Sequence, residues 1–420
     1  MRLVYVLLAY LLVPVLAGIT LWRGFRDRSY WRNFGERFGF GAGSPAQSIW
    51  IHAVSVGEVQ ASAPLVAALR RRYPDMPLVV TTGTPTGAAR ARALFGEGVL
   101  VRYVPYDLPG SVRRFFDRVR PRIAIVLETE LWPNLYRECG RRRVPLVLAS
   151  ARVSQRSVDR YRWLGSVIRE LFAREVIVGA QGEQDAERFR QLGAAAERTH
   201  VTGNVKFDFS VPPETVEKGS ALRELHAPGR PVWIAGSTHG GEEELVLAAH
   251  RTVQRSHPTA LLLLAPRHPQ RFDDVAALLE REQVRFVRRS SGTACMAQTE
   301  VLLIDTLGEL LDFYAAADVA YVGGSLVPIG GHNLLEPAAL GIPVLTGPHN
   351  FNGPDVARLL IGRGAAEIVS DADALGNRVA QLLADGAARA RIGALGRAAV
   401  EENRGAVEKL LRLIDPLLAA

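Results

Sequence analysis

A chain of 420 residues exceeds what one hydrophobic core usually organises and points to about two domains. Apolar residues make up 48% of it and no low-complexity tract interrupts them, which excludes a disordered or fibrous protein. Two distant cysteines, Cys139 and Cys295, exclude a disulfide framework and a cysteine zinc site and make a reducing compartment the default; the net charge of +8 points to acidic partners, among which composition does not separate nucleic acid, an anionic membrane and a phosphorylated substrate.

The first element is Leu3 to Trp22 (LVYVLLAYLLVPVLAGITLW), an uncharged run long enough to span a bilayer as a helix, in which Pro14 and Gly18 are tolerated. Arg23, Arg26, Arg28, Arg32 and Arg37 follow, interleaved with Phe25, Tyr30, Trp31, Phe34 and Phe38, so the positive-inside rule places the bulk of the chain in the cytoplasm. A cleaved signal peptide competes with this anchor, but its positive charge would precede a shorter apolar core. A monotopic interfacial helix is a variant of the anchor reading.

Short, β-branched-rich runs then alternate with segments of helical length: Ser48 to Ala53, Leu78 to Thr82, Val99 to Val104, Ile123 to Leu127, Leu146 to Ala149, Val176 to Gly179 and His200 to Thr202. The prolines of Ser210 to Pro213 mark a linker. The alternation restarts with Pro231 to Ala235, Ala260 to Ala265, Val284 to Val287, Val301 to Ile304, Asp318 to Val322 and Ile342 to Leu345. Such a pattern predicts an α/β protein with two Rossmann-like, doubly wound parallel sheets. The expected domains are 1–22 as membrane anchor, 23–210 for the acceptor and 211–420 for the donor, with the apolar-periodic segment Gly396 to Leu418 able to cross back onto the first half. Ligands of such sheets sit beyond the C-terminal strand ends, here an interdomain cleft.

The strand ends carry the chemistry. Ser55-Val56-Gly57-Glu58 has the spacing of a capping box, which spacing alone favours, and reads alternatively as a base, in which Gly57 leaves room for substrate and the N-terminus of a helix running through to Arg72 keeps Glu58 ionised. Glu128 and Glu130 close the strand Ile123 to Leu127 as an acid–base pair or as exposed turn residues, with Glu128 the better placed. Lys206 is one of three lysines, with Lys218 and Lys409, and at a strand end it suits a leaving phosphate or is simply solvated. Gly236-Ser237-Thr238-His239-Gly240-Gly241, ahead of Glu242 to Glu244, is a candidate anion nest, and Arg267 with His268 follows an apolar strand. Asp305 to Glu309 presents backbone groups to a base or opens a helix. In Gly323 to Pro348 (GGSLVPIGGHNLLEPAALGIPVLTGP), paired glycines precede a helix with Asn333 as its expected N-cap, running to about Leu340. There Glu336 either meets ribose hydroxyls or completes an Asn-x-x-Glu capping box with Asn333. Asp371-Ala372-Asp373 is read as a helix cap rather than a metal motif, and no HExxH, P-loop, GxSxG or GxGxxG occurs.

The anchor, SVGE, TPTG at Thr84 to Gly87, YDLP at Tyr106 to Pro109, ETELWPN, GNVKFD, STHGGEE, PRHP, DTLGEL and GGSLVPIGGHNLLEP, in that order over the whole chain, resemble the bacterial 3-deoxy-D-manno-octulosonic acid (Kdo) transferases. The resemblance implies a GT-B glycosyltransferase, inverting, metal-independent and without cofactor. Its implied reaction moves Kdo from CMP-Kdo to the tetraacylated lipid A disaccharide precursor at the cytoplasmic face of the inner membrane. By the same resemblance Glu58 is the general base, and Glu128 and Lys206 stabilise the transition state. Pro266, Arg267, Leu307, Gly308, Glu309, Asn333, Leu334, Leu335 and Glu336 form the CMP site. Val327, Pro328 and Ile329 are less typical. The basic collar Arg23 to Phe40 and the run Arg152 to Arg174, or an ordinary solvated helix there, would face an anionic lipid, with nucleic acid not expected as a partner. The alternatives are another GT-B enzyme, such as a UDP-N-acetylglucosamine epimerase or lipid A disaccharide synthase, and a non-catalytic basic membrane-associated protein.

Overall fold

The computed structural model describes residues 2–45, 47–163, 165–173 and 176–419. They form two compact units, residues 1–209 with 403–420, and residues 210–402. The first unit holds a seven-stranded sheet of β1 (Ser48–His52), β2 (Leu78–Thr82), β3 (Val99–Tyr103), β4 (Pro121–Leu127), β5 (Leu146–Ala151), β6 (Val176–Ala180) and β7 (Thr199–Val201). Its order is β3-β2-β1-β4-β5-β6-β7, and every strand pairing among the described residues is parallel.

Alternation along these strands builds a core on each face. Ile49, Ile51, Leu78, Val80, Ile123, Ile125 and Val147 enter one cluster, with the helices Ala63–Arg72 and Pro85–Phe95. Trp50, Val79, Ala124, Val126, Leu146 and Leu148 enter the other, with the helices Pro109–Val119 and Pro133–Arg142. The helix Ala406–Ala419 returns to the first of these clusters and buries Ala406, Val407, Leu410, Leu411, Ile414 and Leu418 there. Tyr73 and Arg72 clasp its Asp415, the latter through two bonds of 2.6 and 3.0 Å.

The second unit repeats the plan with β8 (Val232–Thr238), β9 (Leu261–Pro266), β10 (Phe286–Arg288), β11 (Val301–Leu303), β12 (Val319–Val322), β13 (Val344–Thr346) and β14 (Ala366–Ile368). The order is β10-β11-β9-β8-β12-β13-β14, so the strand order reverses at β8/β12 as it does at β1/β4 in the first sheet. Those reversals are where open α/β sheets bind ligands. The sequence reading omitted β14, an edge strand whose central residue is Glu367, so no apolar run marks it.

The N-terminal helix Arg2–Arg26 is long and apolar enough over Leu3–Arg26 to cross a membrane. Tyr5, Val6, Ala9, Val13, Ala17, Thr20 and Gly24 form its less exposed stripe, a helical repeat, while Leu3, Leu7, Leu11, Val15, Trp22 and Phe25 stand exposed. Tyr5 donates to Asp107 at 2.7 Å, and the Thr20 hydroxyl lies 3.3 Å from that of Tyr106. The collar after it is only partly a surface: Arg37 is buried over the Tyr103 ring, and Glu36 accepts from the Tyr103 amide. Those two charges hold the collar onto β3 and are not free for a lipid. In the arginine-rich run, Arg174 lies outside the described residues.

Candidate functional site

In the first unit the turn after β1 carries Glu58. Ser55 caps the helix Val56–Ala61 by accepting from the Glu58 amide at 3.2 Å. The Glu58 carboxylate accepts in return from the Val54 amide at 2.7 Å and the Ser55 hydroxyl at 3.0 Å. The capping box is thus closed one residue upstream of its usual partner. The helix is interrupted at Ser62 and resumes over Ala63–Arg72. A Cβ at Gly57 would meet only Ser55 Oγ, at 3.8 Å, so packing does not demand glycine there.

The expectation that the helix N-terminus keeps Glu58 ionised is overturned. Burial pushes its carboxyl up to about 7, and the neighbouring charges of Glu128 and Glu130 push in the same direction against the hydrogen bonds from Val54 and Ser55. A six-residue helix offers too little dipole to offset desolvation. Glu130 is also raised by burial while it accepts from Trp132 Nε1 at 2.6 Å.

Glu128 follows β4 with φ of 55°, a left-handed conformation that costs a non-glycine residue roughly 1–2 kcal/mol. In return its carboxylate meets Lys206 Nζ at 2.8 Å and Arg152 Nε at 3.1 Å. Lys206 lies in the short helical turn Val205–Asp208 after β7, and its place is set from β5. Ser150, itself at φ 53° where the β5 register shifts, accepts the Val205 amide at 3.0 Å. Glu58, Glu128 and Lys206 therefore gather at the C-terminal edge of one sheet. Lys206→Ala would leave Glu128 with Arg152 alone.

The second unit presents its groups at the ends of four strands. Pro266 and Arg267 end β9, with Pro266 buried and Arg267 exposed. Leu307, Gly308 and Glu309 occupy the turn between β11 and the helix Leu310–Ala315. Leu307 is 73% exposed, and Gly308 has φ of 90°. Glu309 is fixed by Arg289 at 2.8 Å and by the Thr306 hydroxyl.

Asn333 to Glu336 follow β12, but the helix is Leu335–Leu340, with Leu334 as its first flanking residue. The expected N-cap at Asn333 and its capping box are both corrected, the cap falling one residue later. Asn333 Oδ1 accepts from the Leu335 amide at 3.1 Å, and its Nδ2 donates to Glu336 Oε1 at 3.0 Å, so the pair bonds side chain to side chain. The proline at 337 shortens the hydrogen-bonded run and favours this alternative. The helix is set by close packing: a Cβ at Gly393 would fall 1.9 Å from the Gly341 carbonyl. Gly393→Ala should therefore destabilise this unit by about 1–3 kcal/mol in urea unfolding.

The central group here was missed by sequence reasoning. Glu242 is fully buried and accepts from the Tyr321 hydroxyl at 2.6 Å and from the amides of Gly324, Ser325, Leu326 and His239 at 2.7, 3.1, 3.1 and 3.2 Å. It ties the glycine-rich loop to the loop after β8. Ser325, also buried, extends the tie by accepting the Gly347 amide at 2.8 Å. Glu243 beside it is buried against Arg271 at 2.6 Å, leaving only Glu244 of the three exposed. Asp371 caps the helix Ala372–Ala384 by accepting from Ala374 at 2.8 Å, as its sequence context suggests.

Residues 32–209 match the family described as 3-deoxy-D-manno-octulosonic-acid transferase (kdotransferase). A 3-deoxy-D-manno-octulosonic acid transferase of Haemophilus influenzae is 44% identical over 393 residues, 93% of this chain and 92% of that protein. Its counterpart in Bordetella pertussis is 40% identical over 430 residues, covering 99% of each. Among solved structures, UDP-GlcNAc 2-epimerase from Neisseria meningitidis aligns over 87% of this chain and 99% of its own with a TM-score of 0.57 at 13% identity, a likeness of fold alone. The fold is GT-B, with two parallel Rossmann-like sheets. By sequence over nearly its full length, the chain belongs to the 3-deoxy-D-manno-octulosonic acid transferases, a family of glycosyltransferases.

Proposed function

We propose that the protein transfers Kdo from CMP-Kdo to the tetraacylated lipid A disaccharide precursor, with inversion and without a metal. The observation that carries this reading is Glu58, a strand-end carboxyl pushed up to about 7 and set beside the Glu128–Lys206 pair. A base needs a pKa near working pH to be both deprotonated and proton-accepting. Glu58 takes the proton from the acceptor hydroxyl as its oxygen attacks the ketosidic carbon of Kdo. The bond from that carbon to the phosphate oxygen breaks, and its electron pair leaves with CMP. Charge develops through an oxocarbenium-like state, as in glycoside hydrolysis, and Lys206 held by Glu128 stabilises it. Pro266, Arg267, Leu307, Gly308, Glu309, Asn333, Leu334, Leu335 and Glu336 hold the nucleotide, with the Asn333–Glu336 pair offering its carboxylate to the ribose.

The exposed face of the helix Arg2–Arg26 supports attachment to the cytoplasmic face of the inner membrane. Tyr5 and Thr20, near its two ends, both engage residues 106 and 107, which favours a helix lying in the membrane surface over one that leaves the domain to span it.

The test is an assay with CMP-Kdo and the lipid A precursor read by product mass, which also counts the Kdo residues added. Absence of any Kdo adduct would reject the reading. Below about pH 7 the rate should fall tenfold per pH unit as Glu58 protonates, and the Glu58 variant should lose that limb of the profile.

A further inference from the structure

Three imidazoles meet in the second unit, each from a different strand-end loop: His239 after β8, His268 after β9 and His332 after β12. His239 and His332 lie parallel, with ring centroids 5.0 Å apart and their Nε2 atoms 2.8 Å apart. His268 meets His239 edge-on at 5.2 Å. The exposed Arg267 adjoins His268. Gly324, at φ 69°, allows the pair to close, since a Cβ there would stand 3.0 Å from His332 and 3.4 Å from His239.

Two facing Nε2 atoms at this distance share one proton, one ring donating and the other accepting. Positive charge is disfavoured in the cluster: burial lowers all three imidazoles, Arg267 adds to it at each, the neighbouring imidazoles add to it at His239 and His332, and His332 falls to about 3. Arg271 adds to the repulsion at His239 and His268, although Glu243 pairs with it. The one opposing group is Glu242, and it is bonded to the backbone of the glycine-rich loop and to Tyr321. Cationisable groups converging beyond the ends of three strands, with the nearby carboxylates already engaged, call for one partner, an anion.

Resting on the donor reading above, we infer that His239, His268 and His332 with Arg267 form an anion-receiving subsite, which takes the phosphate or the carboxylate of the sugar nucleotide and binds a proton together with it. The anion supplies the charge that makes an imidazolium favourable there, so ligand and proton stabilise one another. The His239–His332 contact rearranges on proton uptake, because two N–H donors cannot face each other without an acceptor.

Calorimetric titration of the full chain in buffers of different ionisation heat separates these statements. The probes are the methyl ester of cytidine 5′-phosphate, whose phosphate does not titrate near neutrality, free Kdo for the carboxylate, and cytidine as the uncharged control. Uptake of a measurable fraction of a proton is expected at pH 6 with whichever anion occupies the cluster, falling away by pH 8 and absent with cytidine. His332→Asn should abolish it and weaken that anion about tenfold, the loss of one charge-assisted hydrogen bond. His268→Gln, at an exposed position, should diminish the uptake while leaving cytidine affinity unchanged. Binding of the anions with no uptake from either, or uptake unchanged in both variants, would overturn the inference alone. Failure of all three ligands to bind would instead remove the donor reading on which it rests.

Discussion

Glu58→Gln is expected to reduce Kdo transfer by about 10²–10⁴-fold while the protein remains folded and binds CMP as before. The glutamine keeps the shape of the side chain and one of the two bonds, to Val54 or to Ser55, but accepts no proton. Stability separates catalytic loss from misfolding. Burial raises the folded carboxyl from its usual 4.5 to about 7, so its contribution to stability is complete below about pH 4.5 and is lost as pH rises to 7. A shift of that size corresponds to about 3 kcal/mol, less a discount for partial solvent access and for the lost hydrogen bond. At pH 8 the variant should therefore melt at or above the wild-type temperature, and at pH 5 the advantage should vanish. Full transfer activity in Glu58→Gln would defeat the general-base assignment.

Glu242→Ala should produce the largest stability loss of any single substitution in the second unit. It removes the acceptor of five donors at once, four of them backbone amides of two loops. Each buried donor left unpaired costs about 1–3 kcal/mol, and water entering the vacated space recovers only part of the sum. A net loss of about 3 kcal/mol lowers the melting of a unit this size by roughly 6–12 °C. Nucleotide affinity should fall with it, because the amides of Gly324 to Leu326 lose their fixed directions. A variant that melts within a degree of wild type would show that the carboxylate is not what holds the loop.

Much of this was legible in the chain because parallel strands buried on both faces leave continuous apolar runs, and the residues just after such runs are the ones a doubly wound fold turns toward ligand. Glu58, Glu128, Arg267 and Asn333 were found in that way. What escaped depends on contacts between distant segments. Glu242 stands 82 residues from the Gly324 amide it binds, and on its own an acidic residue at a helix start reads as a dipole partner. The same holds for the state of Glu58: its capping spacing is visible in sequence, whereas the burial that overrides the helix end is a property of the packed site. The strand β14 was lost for a different reason, being a sheet edge with Glu367 at its centre and no apolar run to mark it.

The return of the helix Ala406–Ala419 to the first unit makes synthesis order matter. The core around Ile49, Ile51 and Ile125 lacks one wall until residues 406–418 have left the ribosome, after the whole second unit has emerged. The first half of the chain is therefore the last to be completed. A truncation at the extreme C-terminus would expose apolar surface on the domain that holds Glu58, leaving the second unit, with its nucleotide-binding strand ends, intact.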